Sequence, residues 1–310
     1  MNGGSVRNRA RCLAAIIAGL LAVSGAVRPA HAYFERLVIS SRVHALGGAF
    51  VSVADDASAV LVNPAGLAQS RTVGVLSTIS HPYGISDLDE YFFAAVLPSK
   101  IGNFGVSWHR LGLDGVTSED LFTLAYGRDI VRTSQDASLS VGAAVDMGRV
   151  AYTGLAQSDA VLAGTLSVLL RPFPFIGAGY TVRNIGGPSF EFPSACDPPL
   201  SACTGATPLA VTHTFGFAYH WERLFTVLYE RERGQNGVWR DKLGVEVRAG
   251  DLLRLRSGLT RDDITGGVGV LISNVSIDAA VTSHDALGLS AVVSVGISLP
   301  GAEKGKGEEW

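Results

Sequence analysis

The chain is short of charge. Asp, Glu, Lys and Arg make up 17% of its 310 residues, against roughly 25% in an ordinary soluble domain. The net charge is -3. No Lys/Arg surplus exists to neutralise phosphates, so a nucleic-acid partner is not expected. Disorder is excluded from the other side, because 47% of the residues are hydrophobic and can bury a large surface. There are only three cysteines and no C-x-x-C pair. G-x-S-x-G, H-E-x-x-H and the phosphate-binding loop are also missing. The reading is therefore of a protein that is not an enzyme, with no cofactor and no metal. After residue 32 no apolar run approaches the length of roughly 18 residues that marks a membrane-spanning helix.

What is present begins with a leader. Residues 1–32 read as a secretory signal peptide. Arg7, Arg9 and Arg11 form a basic start, Cys12 to Val27 carry no charge, and Ala30-His31-Ala32 is an A-x-A cleavage pattern after Pro29. The leader holds Arg28 as well and no acid, so residues 33–310 are more acidic than the whole chain. Export leaves Cys196 and Cys203 in an oxidising compartment, which points to a local disulfide. Zinc is the rival reading, and the segment FPSACDPPLSACTG carries no His.

The rest reads as strands. In Ser138 to Met147, Leu139, Val141, Ala143, Val145 and Met147 share one face. Ser138, Ser140, Gly142, Ala144 and Asp146 share the other. Period two puts an oily row and a small polar row on opposite sides of a strand. The pattern recurs in about fourteen segments: 72–80, 91–97, 102–110, 120–128, 137–148, 159–170, 174–184, 209–220, 223–231, 238–248, 251–260, 264–273, 275–283 and 289–299. An even number of strands of about 9–11 residues suits a closed transmembrane barrel. The fold class is all-β, a transmembrane antiparallel β-barrel in the outer membrane of a Gram-negative-type bacterium.

Connections near 97–101, 171–174, 220–223, 249–251 and 273–274 read as short periplasmic turns. Those at 81–90, 185–208 and 232–237 read as longer outer loops. The turn at 129–136 is long for its side. Alternation sends Asp146, Arg183, Glu230, Glu246, Arg248, Arg254, Arg256 and Asp278 inward, where charge avoids lipid. Glu246 can pair there with Arg254 or Arg256. Trp108, Tyr126, Tyr180, Phe215, Phe217, Tyr219, Phe225 and Tyr229 fall on outward faces. Trp221 and Trp239 sit at strand ends, where an aromatic girdle belongs.

The most informative stretch precedes the first strand. Ala45-Leu46-Gly47-Gly48-Ala49-Phe50 is followed by Ala54-Asp55-Asp56-Ala57-Ser58-Ala59, then by Asn63-Pro64-Ala65-Gly66-Leu67-Ala68. Asp55 or Asp56 can cap a short helix over 57–61, and Pro64 ends it at Asn63. This motif resembles the FadL superfamily of outer-membrane transporters, and within it most the PorV/PorQ-like branch. The later strands, with Leu243-Gly244-Val245-Glu246 and Leu255-Arg256-Ser257-Gly258, continue the resemblance through the chain.

The resemblance implies a domain order of signal peptide (1–32), luminal plug or hatch (33–70), barrel (71–299) and polar tail (300–310). It assigns Asp55, Asp56, Asn63, Pro64, Ala65 and Gly66 to the hatch. It implies passive passage or binding of hydrophobic, fatty-acid-like molecules, with sideways release near the third strand. There Gly102, Asn103 and Gly105 could allow a kink, and a plain strand is the equal alternative. Short outer loops weaken the fatty-acid assignment, and Trp310 lies in the tail rather than closing the last strand. The alternatives are a PorV-like barrel that contacts secretion-system or secreted proteins through loops 185–208 and 232–237, and a structural barrel with a closed lumen. Outer-membrane lipid is a partner in each case.

Overall fold

The computed structural model describes Phe34 and residues 37–133, 137–153, 157–191, 206–222, 224–234, 237–284 and 287–299. Among them no helix is long and apolar enough to cross a membrane. Sixteen strands follow one another. They are β1 (Val73–His81), β2 (Leu88–Leu97), β3 (Asn103–Leu113), β4 (Thr117–Arg132), β5 (Ser138–Tyr152), β6 (Gln157–Phe173), β7 (Ile176–Ile185), β8 (Ser189–Glu191), β9 (Ala206–Pro208), β10 (Thr212–Trp221), β11 (Phe225–Arg233), β12 (Trp239–Ala249), β13 (Leu253–Leu259), β14 (Asp263–Ile272), β15 (Val275–His284) and β16 (Gly288–Leu299). All but β8 and β9 form one closed antiparallel barrel of 14 strands. It closes where β1 meets β16, from Val73 opposite Leu299 to His81 opposite Ala291. Closure leaves no unpaired edge, the condition for a sheet to stand in lipid.

The alternation in the sequence becomes the two faces of this wall. Along β5, Ser138, Ser140, Gly142, Ala144 and Asp146 are buried, while Val145 and Met147 point out. Large apolar side chains are exposed all round: Leu162, Phe217, Ile264 and Leu289 each show more than half their surface. Aromatic rings gather in two bands on this outer face. Near the short turns Phe173 lies 5.4 Å from Phe175, and Trp221 stacks on Phe225 at 6.1 Å. Toward the other rim Tyr180 lies 4.6 Å from Phe215, and Arg231 sits over Trp239 at 5.3 Å. Two girdles flanking an apolar band match a lipid-embedded wall. Val293 is half exposed at the middle of β16. Val293→Arg is expected to cost about 2–4 kcal/mol in lipid, read as a lowered urea midpoint in vesicles. An unchanged midpoint would mean that this face does not meet hydrocarbon.

Several expectations need correction. The segment read as one long loop at 185–208 contains the small β8–β9 ladder. The connections at 114–116 and 260–262 are as short as those on the opposite rim, so loop lengths do not alternate around the whole barrel. The first half of the long turn at 129–136 is strand: β4 reaches Arg132 by shifting register between Asp129 and Val131. For the third strand, where a kink and a plain strand were both open, the pairing runs without a register break. Its ladder to β2 and β4 is continuous from Asn103 to Leu113 except that Leu97 opposite Phe104 is the last pair with β2. Asn103 is itself tied down, donating to the carbonyls of Leu67 at 2.6 Å and Ser70 at 2.8 Å. The register irregularities lie instead between β4 and β5 and between β6 and β7. Residues 1–32, Cys196, Cys203 and the tail with Trp310 lie outside the described residues.

Candidate functional site

The segment from Val38 to Ser70 packs against inward-facing positions around the wall. Helix α1 (Ser41–Ala45) starts at Ser40, whose hydroxyl accepts from the Val43 amide at 3.2 Å. Gly47 and Gly48 both take positive φ and turn the chain out of it. Helix α2 (Ala59–Val62) begins two residues later than the sequence reading, with Ser58 as its N-cap. The Asp56 carboxylate is used in a local turn, accepting from the Ser58 amide at 2.9 Å, and does not cap the helix. Asn63 is extended, and its side-chain oxygen accepts from the Ala65 amide at 3.1 Å to start the 3-10 turn Pro64–Gln69. Pro at the first position of that turn gives up no hydrogen bond.

Each anchor of this segment reaches a different strand. Thr78 on β1 donates to the Ile39 carbonyl at 3.0 Å. Glu90 on β2 accepts from the Val38 amide at 2.8 Å and pairs with His109 on β3 at 2.7 Å. Ser167 on β6 accepts from the Ala65 amide at 2.9 Å. Glu230 on β11 accepts from both the Phe50 and Val51 amides at 2.9 Å. Thr265 on β14 donates to the Ala45 carbonyl at 2.9 Å, and Ser294 on β16 accepts from the Ser41 amide at 2.7 Å. Between the anchors, Leu46, Phe50, Val60, Leu61 and Leu67 are fully buried. Glycines on the wall make the approach possible. A Cβ at Gly142 would fall on the Pro64–Ala65 backbone, and one at Gly258 on the Leu46–Gly47 backbone.

The charged residues form a chain from the segment to the wall at β12, β13 and β15. Arg42 on α1 meets Asp55 at 2.6 Å, Asp56 at 3.2 Å and Glu246 on β12 at 3.0 Å. Glu246 also takes Arg256 at 2.7 Å, and Arg256 takes Asp278 on β15 at 2.5 Å. Burial works against the Arg42 charge, and the carboxylates of Asp55, Glu246 and Asp56 more than offset it, holding its pKa well above the ordinary value. Burial also pushes Asp55 up, but Arg42 outweighs it and holds this carboxyl below its ordinary value. For Asp56, burial and the neighbouring Asp55 outweigh Arg42, and its pKa is raised.

Of the two partners the sequence offered Glu246, the structure pairs it with Arg256. Arg254 lies opposite Arg248 in register and donates to the carbonyls of Gly250 and Leu253. Arg248 stands 3.9 Å from Glu246. Asp146 accepts from Thr123 at 2.6 Å and Thr165 at 2.7 Å, which fastens β4, β5 and β6 together. Arg183 donates to the Leu61 carbonyl. Asn63 donates to the Val51 carbonyl at 2.7 Å, so it ties the segment to itself. Pro64, Ala65 and Gly66 are buried, and Gly66 lies against Ala54.

Arg42, Glu90, His109 and Lys242 were not foreseen. Strand parity carried a signal for three of them. Glu90 alternates with Phe92 and Ala94, His109 with Ser107, and Lys242 with Gly244 and Glu246. Nothing in the sequence around Arg42 announces its contacts. Among the described residues no group of His, Cys, Asp and Glu is arranged to hold a metal ion.

A packed apolar cluster and a small cavity border the segment. At the rim carrying β8 and β9, Val150, Val161, Phe190 and Leu209 form a buried apolar cluster with Phe34 and Tyr152 packed on it. Phe34 and Phe190 lie 6.0 Å apart. At the short-turn end a small cavity lies between Arg42, Phe50, Asp55, His220 and Arg248, with room for about one water.

No protein-family model matches the chain, and no curated protein does. Solved structures do. The Pseudomonas putida toluene transporter TodX is similar with a TM-score of 0.58 and 12% identity, over 86% of this chain and 98% of that one. A Pseudomonas aeruginosa FadL homologue is similar with a TM-score of 0.59 and 11% identity, over 87% of this chain and all of that one. At such identity the likeness shows the fold alone, a closed antiparallel 14-strand barrel like theirs.

Proposed function

We propose that the protein is an outer-membrane barrel that binds or passively passes hydrophobic small molecules. The observation that carries the reading is the pairing of a lipid-facing 14-strand wall with an internal segment, Val38–Ser70, that leaves an apolar cluster at one rim and a small charged cavity at the other. The same fold in a structure described as a toluene transporter supports it. On this reading residues 1–32 direct export and are removed, residues 33–70 are the hatch, residues 71–299 are the barrel and residues 300–310 are a tail. Cargo would enter at the Phe34–Phe190 cluster and pass the Asn63–Gly66 element. The continuous β3 ladder argues for release at the short-turn end rather than sideways there.

The test is uptake of a labelled long-chain fatty acid, and of toluene in parallel, into proteoliposomes. Uptake should exceed that of empty liposomes, and Asn63→Ala should change it several-fold, because Asn63 sets the path of both Val51 and Ala65. A barrel that shows heat-modifiable migration but no uptake of either compound would refute the reading. A second reading is a barrel that works through its surface, related to the PorV/PorQ-like branch, with secretion components as partners. The dense anchoring of the internal segment on six or more strands favours it. Its contact surfaces would be loops 185–208 and 232–237.

A further inference from the structure

We propose that the outer face of β10, β11 and β12, at the rim opposite the short turns, is a binding site for the negatively charged phosphate of a membrane lipid. The site rests on the lipid-facing wall and not on what passes through the lumen. Strand register builds it in two rows. One row is Tyr180, Phe215, Arg231 and Asp241. The next row toward the rim is Val182, His213, Arg233 and Trp239. The rings form a continuous platform, with Tyr180 4.6 Å from Phe215 and Phe215 6.4 Å from Trp239. Arg231 and Arg233 stand on β11, between the strands that carry these rings, and both are exposed.

An arginine on a lipid-facing wall is costly unless an acid neutralises it or its head reaches the headgroups. Arg231 is neutralised by Asp241 at 3.6 Å, and Asp241 also accepts from the Tyr229 hydroxyl at 2.6 Å. The Arg231 guanidinium lies 5.3 Å over the Trp239 ring, which is directly opposite Arg233. Attraction to that ring draws it toward the rim and the second guanidinium. Arg233 itself has His213 and Trp239 opposite it and no carboxylate. Glu232, its neighbour in sequence, points to the other face, where Lys242 takes it at 2.6 Å. His213 adds a donor. Its Nδ1 lies 2.8 Å from the Tyr180 hydroxyl, and with that hydroxyl donating, the ring proton sits on Nε2. Two guanidinium groups and an imidazole thus stand with one carboxylate, at the girdle where headgroups begin. A phosphate answers this surplus, because guanidinium donates to it through two parallel bonds. An acyl chain continues over Phe217 and Leu243, exposed in the row below. That apolar run favours a lipid over a soluble anion. At the same rim on β14, β15 and β16 the outward row is Ile264, Ser283 and Leu289, with no charge to offer.

The test uses Trp239 as its reporter. With Trp108, Trp221 and Trp310 changed to Phe, the protein is refolded into dioleoylphosphatidylcholine vesicles. These contain a small fraction of either phosphatidic acid or phosphatidylcholine with brominated acyl chains, which quench a nearby indole. Phosphatidic acid is expected to quench Trp239 at about one-fifth of the mole fraction that phosphatidylcholine needs, the preference one uncompensated arginine gives at a membrane surface. A second reporter, Trp221 alone at the short-turn end, should be quenched equally by both lipids. Arg231→Gln with Arg233→Gln should abolish the preference at Trp239. If that pair does not fold, the two reporters with both arginines in place decide the matter. No preference at Trp239, an equal preference at Trp221, or a preference that survives loss of both arginines would each overturn the site. Inorganic phosphate at millimolar concentration should leave the preference unchanged. Competition by it would show a site for soluble anions and overturn the lipid assignment. Quenching of neither reporter by either lipid would remove the lipid-facing wall and the site with it.

Discussion

Gly142→Val is expected to prevent the barrel from closing around its internal segment. The added Cβ would land on the backbone of Pro64 and Ala65, and backbone has no rotamer with which to move aside. Overpacking a core ordinarily costs about 1–3 kcal/mol. Here that is a floor, because the Ala65 amide is also bonded to Ser167 and Asn63 and cannot shift without breaking both. The measurement is the fraction of refolded protein that shows heat-modifiable migration, with protease protection of the segment read on the folded part. Gly142→Val should lose most of the folded fraction or expose the segment to protease. Gly266→Ala is the control: its nearest contact is the Arg256 carbonyl at 3.9 Å, ordinary van der Waals distance, and it should behave as wild type. Removing residues 37–69 in the Gly142→Val background should restore whatever closing ability the wall has alone. A Gly142→Val barrel that folds with the segment fully protected would mean that Pro64–Ala65 does not lie on β5.

The same geometry explains what could be read from the sequence. Period two is local, so the strands and the lipid-facing rows of Leu139, Val145 and Val293 were visible in alternation alone. Parity likewise sends Asp146 and Glu246 away from lipid. Pairing across strands is not local. Glu246 could face Arg254 or Arg256, and the choice follows from a register in which Arg256 lies directly opposite. Arg42 and Glu246 are separated by 204 positions, and no pattern near Arg42 encodes that meeting. The helix start was misplaced because Asp56 has two uses for its carboxylate, and the Ser58 turn takes precedence over a cap. Gly102 and Gly105 left a kinked and a plain third strand both open, and Gly105 leaves space for Val60 and Leu67. The glycine serves the interior, and the strand keeps its register.

Glu230→Leu is expected to be the most damaging single change of a wall carboxylate. Glu230 is 2% exposed. One oxygen accepts from two consecutive amides, Phe50 and Val51. The other meets Lys242 at 2.9 Å, and Lys242 also meets Glu232 at 2.6 Å. Leucine leaves two buried amides without an acceptor and the Lys242 ammonium with one partner, which puts the loss near the 3–5 kcal/mol seen when one side of a buried pair is removed. Lys242→Met should cost less, since the two amides still hold the Glu230 charge. The double variant should be little worse than Glu230→Leu alone, a coupling of about 0.5–3 kcal/mol by the double-mutant cycle in urea. Strictly additive losses would mean that Lys242 and Glu230 do not act as a pair. The contrast with Glu246 is physical. Glu230 grips backbone, which cannot rotate away, and so fixes Phe50 and Val51 for good. Glu246 grips the Arg42 side chain, which can turn about its own bonds. Glu230 variants should therefore lower stability more than Arg42 variants do.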